Sequence, residues 1–292
     1  MFSYTVSQWL FFFYFYCFIG WCFESSYVSL KEKRWINRGF LKGPFLPIYG
    51  SGAIMMLVAS APFTDHWWAV YIAGSIGATV LEYVTGALME ALFKVRYWDY
   101  SYKRFHIHGY ICLSSTLAWG GCTLLMTYVL HKPVESFVLG IPSGILSVLV
   151  LALTVVLAGD FGISFRAALD LKDILVRMEG VKEELIRLEK RLAMLLPAVE
   201  EERHTQQKIV ELRAAIERKL SQLKEHIKNK ETGYSEETKE ELIAMHTAYG
   251  IQAERLKGHK GLHKRIRNNP SMQSRRFGEL LEELKERGGN ME

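Results

Sequence analysis

Three carboxylic acids embedded in apolar sequence are the residues of this chain best suited to chemistry. Glu24, Glu82 and Glu90 each lie within a mostly apolar run that is long enough to cross a bilayer. An ionisable side chain in such a run is costly to bury, and it usually faces a bundle interior or a wet cavity. These positions predict a site for a proton, a cation or a polar substrate. The alternative for each acid is a partner such as Arg38, Arg96 or a tyrosine hydroxyl that only fixes helix packing.

A loop rich in glycine and proline is the second candidate. It covers residues 37–44 and carries Asn37, Arg38 and Lys42. Glycine permits unusual backbone angles and proline fixes others, so together with the two cations the loop could hold an anionic group at the membrane surface. The alternative is a tight turn whose cations only set the orientation of the chain.

A third candidate follows the run that contains Glu90. Trp98 is typical of a membrane interface, where its ring contacts both lipid and water. Asp99 beside it is a lone acid among cations, which predicts an ion pair with Arg96 or Arg104.

The sequence lacks several motifs that indicate nucleotide binding, hydrolysis or metal binding. It contains no GxxxxGK[ST] phosphate loop, no GxSxG, no HExxH and no CxxC. His106 and His108 form a pair for which the sequence indicates no third metal ligand. We therefore expect no cofactor, no metal and no ATPase activity of the chain's own. The net charge of +5 is mild, and we expect no nucleic-acid partner.

Apolar segments place these residues within a membrane. The sequence contains five apolar segments. A spanning helix needs about 20 apolar residues, and the second segment, residues 47–63, is short enough to be re-entrant instead. The loops that follow the first and third segments are rich in Lys and Arg, and the positive-inside rule places such loops in the cytoplasm. Both loops can lie on that side only if the second segment also spans the membrane. The N-terminus is then outside and the tail cytoplasmic. The predicted spans are residues 9–30, 47–63, 67–93, 109–130 and 137–158.

A stripe of small residues predicts how the third segment packs. Gly74, Ala78, Glu82, Gly86 and Glu90 recur every four residues and so share one face of a helix. Small residues at this spacing let a second backbone approach closely. The stripe therefore predicts that Glu82 points toward a neighbouring helix.

The chain is predicted to be all-α, with a transmembrane domain over residues 1–160 and a cytoplasmic helical tail over residues 161–292. Apolar residues spaced alternately by three and four from Leu171 to Val199, and again from Ile209 to Ile227, indicate a coiled coil. An antiparallel hairpin within one chain and a dimer of two chains both fit this pattern.

A basic stretch late in the tail predicts contact with anionic lipid of the cytoplasmic leaflet, with RNA or an acidic partner as the alternative. It carries Lys257, Lys260, Lys264, Arg265 and Arg267.

Six short motifs carry a resemblance to a known family. They are Gly20-Trp21 with Glu24, Asn37-Arg38-Gly39-Phe40-Leu41 with Gly43-Pro44, Pro47-Ile48-Tyr49-Gly50, Leu81-Glu82-Tyr83, Trp98-Asp99-Tyr100-Ser101 and Gly109-Tyr110-Ile111-Cys112-Leu113. Together they resemble the bacterial CmpB-like membrane family, which is labelled as type IV ABC-transporter permeases. The resemblance covers about residues 8–160. It implies a multi-pass protein of the bacterial cell membrane and motif positions at Glu24, Asn37, Arg38, Glu82, Trp98 and Asp99.

Three functions remain open from the sequence. The first is a permease-like or transport-associated protein, with the lipid bilayer and a separate ATPase subunit as its partners. The second is a membrane enzyme acting on lipid or cell-envelope precursors at the cytoplasmic face, in which Arg38 and Lys42 bind phosphate and Asp99 or Glu90 is the base. The third is a scaffold that forms a homo-oligomer through the coiled coil. The substrate or ion pathway of the first hypothesis comprises Glu24, Glu82, Glu90, Asn37, Arg38, Trp98 and Asp99.

Overall fold

The computed structural model describes residues 4–195, 265–278, 281, 282 and 285. Helices dominate the described chain, which confirms the predicted all-α class. The helices are α1 (Val6–Glu32), α2 (Pro47–Ser60), α3 (Trp67–Phe93), α4 (Leu113–Leu125), α5 (His131–Leu139) and α6 (Ser143–Leu195). A 3-10 turn, Ala61–Phe63, follows α2, and a π turn, Met126–Leu130, joins α4 to α5. The short strands β1 (His106–Ile107) and β2 (Ile111–Cys112) pair antiparallel before α4.

Four stretches of the described helices are long and apolar enough to cross a membrane. They are Val6–Glu32, Trp67–Phe93, Leu113–Leu139 and Ser143–Val176, and Pro47–Phe63 is a shorter apolar helix. Apolar side chains on these helices remain exposed, as contact with lipid requires; examples are Val84, Val148 and Leu151. Both observations support a membrane location. The five passes and the orientation of the termini stay predictions.

The helix after β2 extends further than the sequence suggested. Pro133 has no N–H, and its ring would clash with the carbonyl of Val129 in a regular helix. The π turn over Met126–Leu130 widens the backbone at that point, so the helix continues through Pro133 to Leu139. The helix ends at Leu139 instead, and residues 140–142, a Gly-Ile-Pro sequence, separate it from α6. The last two helices therefore begin and end later than the predicted spans 109–130 and 137–158.

The first four positions of the stripe on α3 are buried, whereas its last position, Glu90, is half-buried. Gly74, Ala78, Glu82 and Gly86 are all buried, whereas Val84 on the other face is 54 % exposed. The buried face packs closely on α4 and on the segment that precedes it: a Cβ at Gly74 would overlap the Thr123 side chain, and one at Gly86 would lie 3.1 Å from the Tyr110 ring. The stripe thus turns Glu82 toward α4.

Two glycines bring α1 and α2 into close contact in the same way. A Cβ at Gly20 would overlap the Tyr49 side chain, and a Cβ at Gly50 would overlap the Sγ atom of Cys17. This approach places Tyr49 beside the face of α1 that carries Glu24.

The chain divides into two compact units. The first contains residues Met1–Leu169 together with a short C-terminal segment, Arg267–Ser274, which we call the strap. The second contains Asp170–Ile266 and Arg275–Glu292. Within the second unit Arg276 forms an ion pair with Glu179, with 2.8 Å between Nη2 and Oε2.

Part of the predicted tail lies outside the described residues. α6 runs as one helix to Leu195, and Leu171 and Leu175 in its tail portion are fully buried. The second apolar series, Ile209 to Ile227, and the basic residues Lys257, Lys260 and Lys264 lie outside the described residues. The coiled coil and the lipid contact therefore stay predictions.

Candidate functional site

Glu82 lies in the α3–α4 contact, opposite the first two turns of α4, and is 6 % exposed. Three neutral groups donate hydrogen bonds to its carboxylate. The Trp119 indole N–H lies 3.0 Å from Oε2, the Ser115 hydroxyl 3.3 Å from Oε2, and the Tyr100 hydroxyl 3.1 Å from Oε1. Within the described part of the chain no Lys, Arg or His forms an ion pair with it. Glu82 is thus a buried acid that is solvated by dipoles rather than neutralised by a cation.

Tyr100 keeps its proton in this arrangement. It follows α3, outside the predicted spans, and burial together with the neighbouring Glu82 carboxylate raises the pKa of its hydroxyl above the ordinary value near 10. The hydroxyl therefore remains a hydrogen-bond donor to Glu82 at neutral pH.

Glu24 has a different environment. The Nε atom of Arg38 lies 3.5 Å from Glu24 Oε1, and the Tyr49 hydroxyl donates to Oε2 at 2.8 Å. Arg38 is 9 % exposed and the Glu24 side chain 25 % exposed, so the arginine is shielded from water and the acid partly so. A buried ion pair of this kind is costly to break, because removing one partner strands the other charge. Glu24 thus follows the alternative foreseen from the sequence, an acid paired with Arg38 and a tyrosine.

The two terminal nitrogens of the Arg38 guanidinium bond to the strap and to the Tyr97 carbonyl. Nη1 donates to the Asn269 side-chain oxygen at 3.0 Å, and Nη2 donates to the Ser271 hydroxyl at 2.6 Å and to the Tyr97 carbonyl at 3.1 Å. Asn269 also donates to the Gly39 carbonyl at 3.2 Å. All three nitrogens of Arg38 therefore have partners, and the strap supplies two of these.

Backbone contacts fix the strap beside the end of α3. Arg96 and Gln273 exchange backbone hydrogen bonds of 2.7 and 2.9 Å, as in a short antiparallel bridge. The Ser274 hydroxyl donates to the Lys94 carbonyl at 2.6 Å, and Met272 between them is fully buried. The strap is therefore an integral part of the first unit, although about 70 residues of sequence separate it from the end of α6.

Glu90 and Asp99 share one arginine. The Nε atom of Arg96 lies 2.5 Å from Glu90 Oε2, and Nη1 lies 3.3 Å from Asp99 Oδ1. The Tyr110 hydroxyl donates to Glu90 at 2.6 Å, and its ring lies 4.6 Å below the guanidinium. This confirms the predicted ion pair between Asp99 and Arg96. Arg96 is 2 % exposed, and its Nη2 has no hydrogen-bond partner among the described residues.

Asn37 and Trp98 have positioning contacts. The Asn37 side chain accepts from the Trp21 indole at 2.6 Å and donates to the Lys42 carbonyl at 2.6 Å. The Trp98 indole donates to the Tyr110 carbonyl at 3.0 Å. These bonds hold the glycine-rich loop on α1 and Trp98 on the residue that precedes β2.

The glycine-rich loop does bind an anion, and the chain itself supplies it. Asp160 of α6 accepts from the backbone N–H of Lys42 at 3.1 Å and of Gly43 at 2.7 Å. A Cβ at Gly43 would lie 2.9 Å from the same carboxylate, so glycine keeps the approach open. Sequence reasoning missed this role, although Asp160 was visible as a lone acid at the end of the last apolar run.

Most of the predicted site residues gather at one end of the first unit. Tyr49, which binds Glu24, lies within electrostatic reach of Tyr100, which binds Glu82. The strap links Arg38 to the backbone of Arg96. The three acids are thus neighbours in one polar region, but each has its own set of partners.

A second polar cluster at the other end of the bundle was missed. His131, the first residue of α5, is 1 % exposed and contacts the hydroxyls of Tyr4 and Tyr16. The available signal was a histidine two residues before a proline within apolar sequence, which was interpreted as part of a loop.

Comparison with protein families matches residues 11–165 to a family described as "Putative ABC-transporter type IV". Neither a curated protein nor a solved structure matches the chain.

Proposed function

The chain belongs to the type IV ABC-transporter family that it matches, and on that premise we propose that it is a permease-like membrane subunit in which Glu82 carries a proton along a polar pathway. The observation that supports this proposal is the difference between Glu82 and the other two acids. Glu24 and Glu90 each contact an arginine, whereas the described partners of Glu82 are three neutral donors.

Neutral partners leave an acid able to change its charge. A carboxylate beside an arginine is held in the charged form, because protonation would strand the buried cation. Hydroxyl and indole donors stabilise a carboxylate less strongly. Two of the three, Tyr100 and Ser115, can rotate to accept from a protonated carboxyl. Protonation of Glu82 therefore strands no buried cation, and its hydroxyl partners can bond to the carboxyl in both its charged and its neutral form.

The test is proton movement into vesicles that contain the purified protein. A pH-sensitive dye trapped inside reports proton uptake driven by a potassium diffusion potential. We expect uptake above that of protein-free vesicles for the wild type and uptake at the protein-free level for Glu82→Gln. The matched control is Glu32→Gln, the same chemical change at an exposed position at the end of α1, which should retain the wild-type rate.

Two outcomes would contradict this role for Glu82. One is a Glu82→Gln rate equal to the wild-type rate. The other is a wild-type rate no higher than that of protein-free vesicles. Thermal unfolding of each variant in detergent shows whether a lost rate reflects a lost fold instead.

We also propose that ATP hydrolysis belongs to a separate subunit. The proposal rests on the family description together with the lack of a phosphate-loop sequence in this chain. Purification of the tagged protein from its native membrane should recover an ATPase in stoichiometric amount. Recovery of the chain without any nucleotide-binding protein, from membranes solubilised under several mild conditions, would contradict it.

The contacts favour transport over the enzyme alternative. A base acting on a lipid precursor would have to be Asp99 or Glu90, and both contact the buried Arg96. The phosphate-binding role of Arg38 would compete with Asn269 and Ser271 of the strap. The enzyme alternative predicts a change in at least one lipid class of a deletion strain. We expect the lipid mass spectrum of that strain to be unchanged.

A further inference from the structure

The cluster around His131 lies at the far end of the bundle from Glu82. Trp119, which binds Glu82, and His131 are on the same continuous helical stretch, Leu113–Leu139. Twelve residues of helix separate them, or about 18 Å at 1.5 Å per residue. The cluster therefore shares no residue with the site proposed above.

Both ring nitrogens of His131 have hydroxyl partners. Tyr16 Oη lies 2.9 Å from Nδ1, and Tyr4 Oη lies 3.1 Å from Nε2. Tyr4 also donates to Glu135 Oε1 at 2.5 Å. Burial and this bond to Glu135 raise the pKa of Tyr4, so its single proton stays on the oxygen and points to the carboxylate.

These bonds determine the tautomer of the neutral ring. Because the Tyr4 proton is directed to Glu135, the Tyr4 oxygen can only accept from His131, which places the ring proton on Nε2. Nδ1 is then the acceptor, and the Tyr16 hydroxyl donates to it. The result is a directed series of hydrogen bonds from buried Tyr16 through His131 and Tyr4 to the half-buried Glu135.

We propose that His131 is a reversible proton-binding site, and that the Glu135 carboxylate, linked to the ring through Tyr4, balances the charge of the protonated ring. A proton from solution forms a new N–H bond with the Nδ1 lone pair, and no other covalent bond changes. The Tyr16 hydroxyl turns, so that its oxygen accepts from Nδ1–H instead of donating. The Nε2–H bond to Tyr4 is unchanged, and the Glu135 carboxylate offsets the new positive charge.

The choice of partners supports a site with two states. A hydroxyl both donates and accepts, so it satisfies Nδ1 in the neutral ring and in the imidazolium. A backbone carbonyl or an amide N–H could satisfy only one of the two states. The π turn that ends at Leu130 directly precedes His131 and sets its position, and such turns occur frequently at functional sites.

The described polar groups that bond to the ring or to its partners come from α1, from the residues before α1 and from the helix of His131 itself. Tyr4 and Tyr16 belong to α1 and the residues before it, and Glu135 belongs to the same helix as His131. The second helix packs on the π turn and contributes uncharged Ser60, which bonds to Thr127 at 3.1 Å. Among the described residues, Glu135 is the charged side chain that is linked to the ring, through its bond to Tyr4.

The test is solid-state nitrogen NMR on histidine-labelled protein in phosphatidylcholine–phosphatidylglycerol vesicles. The difference between wild type and His131→Gln isolates the signal of this ring. We expect the Nε2–H tautomer at mildly alkaline pH, and two protonated nitrogens at acidic pH while circular dichroism shows the fold intact. An Nδ1–H tautomer, or a ring that stays neutral down to the pH of unfolding, would overturn the proposal.

Glu135→Gln tests the role of the carboxylate. At a fixed acidic pH we expect the ratio of protonated to neutral His131 to fall by about tenfold, because an opposite charge in this position favours the imidazolium. Glu32→Gln, a carboxylate at the other end of α1, should leave the ratio unchanged. An equal ratio in wild type and Glu135→Gln would overturn the proposal that Glu135 balances the charge of His131.

If His131→Gln fails to fold, Tyr16→Phe identifies the signal of the His131 ring through the change at Nδ1. Because no flux is measured, failure here is distinct from failure of the Glu82 proposal.

Discussion

Glu24, Glu82 and Glu90 look alike in the sequence, and their hydrogen-bond partners make them different. Arg38 contacts the first and Arg96 the third. The two arginine pairs hold loops on helices, which supports the structural alternative for their carboxylates. Glu82 is the most deeply buried of the three, at 6 % exposed, and among the described residues no arginine offsets its charge. A protein retains such a residue at a cost in stability, which is the physical reason for the proposal that Glu82 carries a proton.

Replacement of Arg38 should destabilise the first unit strongly. Arg38→Met removes the cation from Glu24 and the donors from Asn269 and Ser271. We expect a loss of about 3 kcal/mol in the free energy of unfolding, because one partner of a shielded ion pair remains buried alone. Denaturant unfolding in detergent, followed by tryptophan fluorescence, measures this loss. Arg104→Met, at an exposed position, is the control; an equal effect of the two variants would contradict the structural role of Arg38.

Tyr100 should make the protein sensitive to alkali. Its pKa is raised in the folded protein by burial and by Glu82, whereas in the unfolded chain it is about 10. The folded state therefore binds more protons above pH 10. Stability from this group is complete below pH 10 and is lost as the pH rises toward the folded pKa. We expect Tyr100→Phe to reduce the slope of unfolding temperature against pH above 10, and an unchanged slope would contradict the assignment.

Residue types and spacing were sufficient to identify the acids but not their partners. The ion pair of Asp99 with Arg96 was predictable because both lie in one short segment. The partners of Arg38 were not, because Asn269 and Ser271 are more than 200 residues away in sequence. His131 was missed for a local reason: Pro133 normally ends a helix, and the π turn that accommodates it has no clear sequence signature.

At the scale of elements, glycines set the distance between helices, and two of them offer a matched test. A Cβ at Gly20 would overlap Tyr49, whereas a Cβ at Gly52 would have no atom of the described chain within 4 Å. We expect Gly20→Ala to destabilise the protein by about 1–3 kcal/mol, because α1 and α2 must separate. Gly52→Ala should stabilise it by up to about 1 kcal/mol through helix propensity. Unfolding in detergent measures both, and equal signs would contradict this packing.

The strap is the second element that can be tested. Asn269 and Ser271 provide its side-chain bonds to Arg38, and Gln273 pairs with the backbone of Arg96. We expect the double substitution of Asn269 and Ser271 by Ala to accelerate hydrogen exchange in the peptides that contain Arg96 and Gln273, because the backbone bridge opens more often. Ser147→Ala, within α6, is the control. Unchanged exchange in the double variant would show that the backbone bridge alone holds the strap.

At the scale of the molecule, the predicted orientation places the His131 cluster and the Glu82 region on opposite sides of the membrane. With the N-terminus outside, His131 and its tyrosines lie toward the outer face, and Glu82, Arg38 and the strap lie toward the cytoplasm. The two proton sites would then face opposite compartments. An ATPase subunit would meet the end of the protein that carries the strap.

Thiol labelling tests this orientation, including the passage of α2. In a background without the four native cysteines, we expect Asp65→Cys to react with a membrane-impermeant reagent in intact cells. Lys33→Cys and Lys103→Cys should react only after permeabilisation, because each lies in a basic loop that the positive-inside rule retains in the cytoplasm. If α2 were re-entrant, Lys33→Cys and Lys103→Cys would lie on opposite sides, and one of them would react in intact cells. That result would also move His131 and Glu82 relative to the membrane, because α3 would then run in the opposite direction with respect to α1.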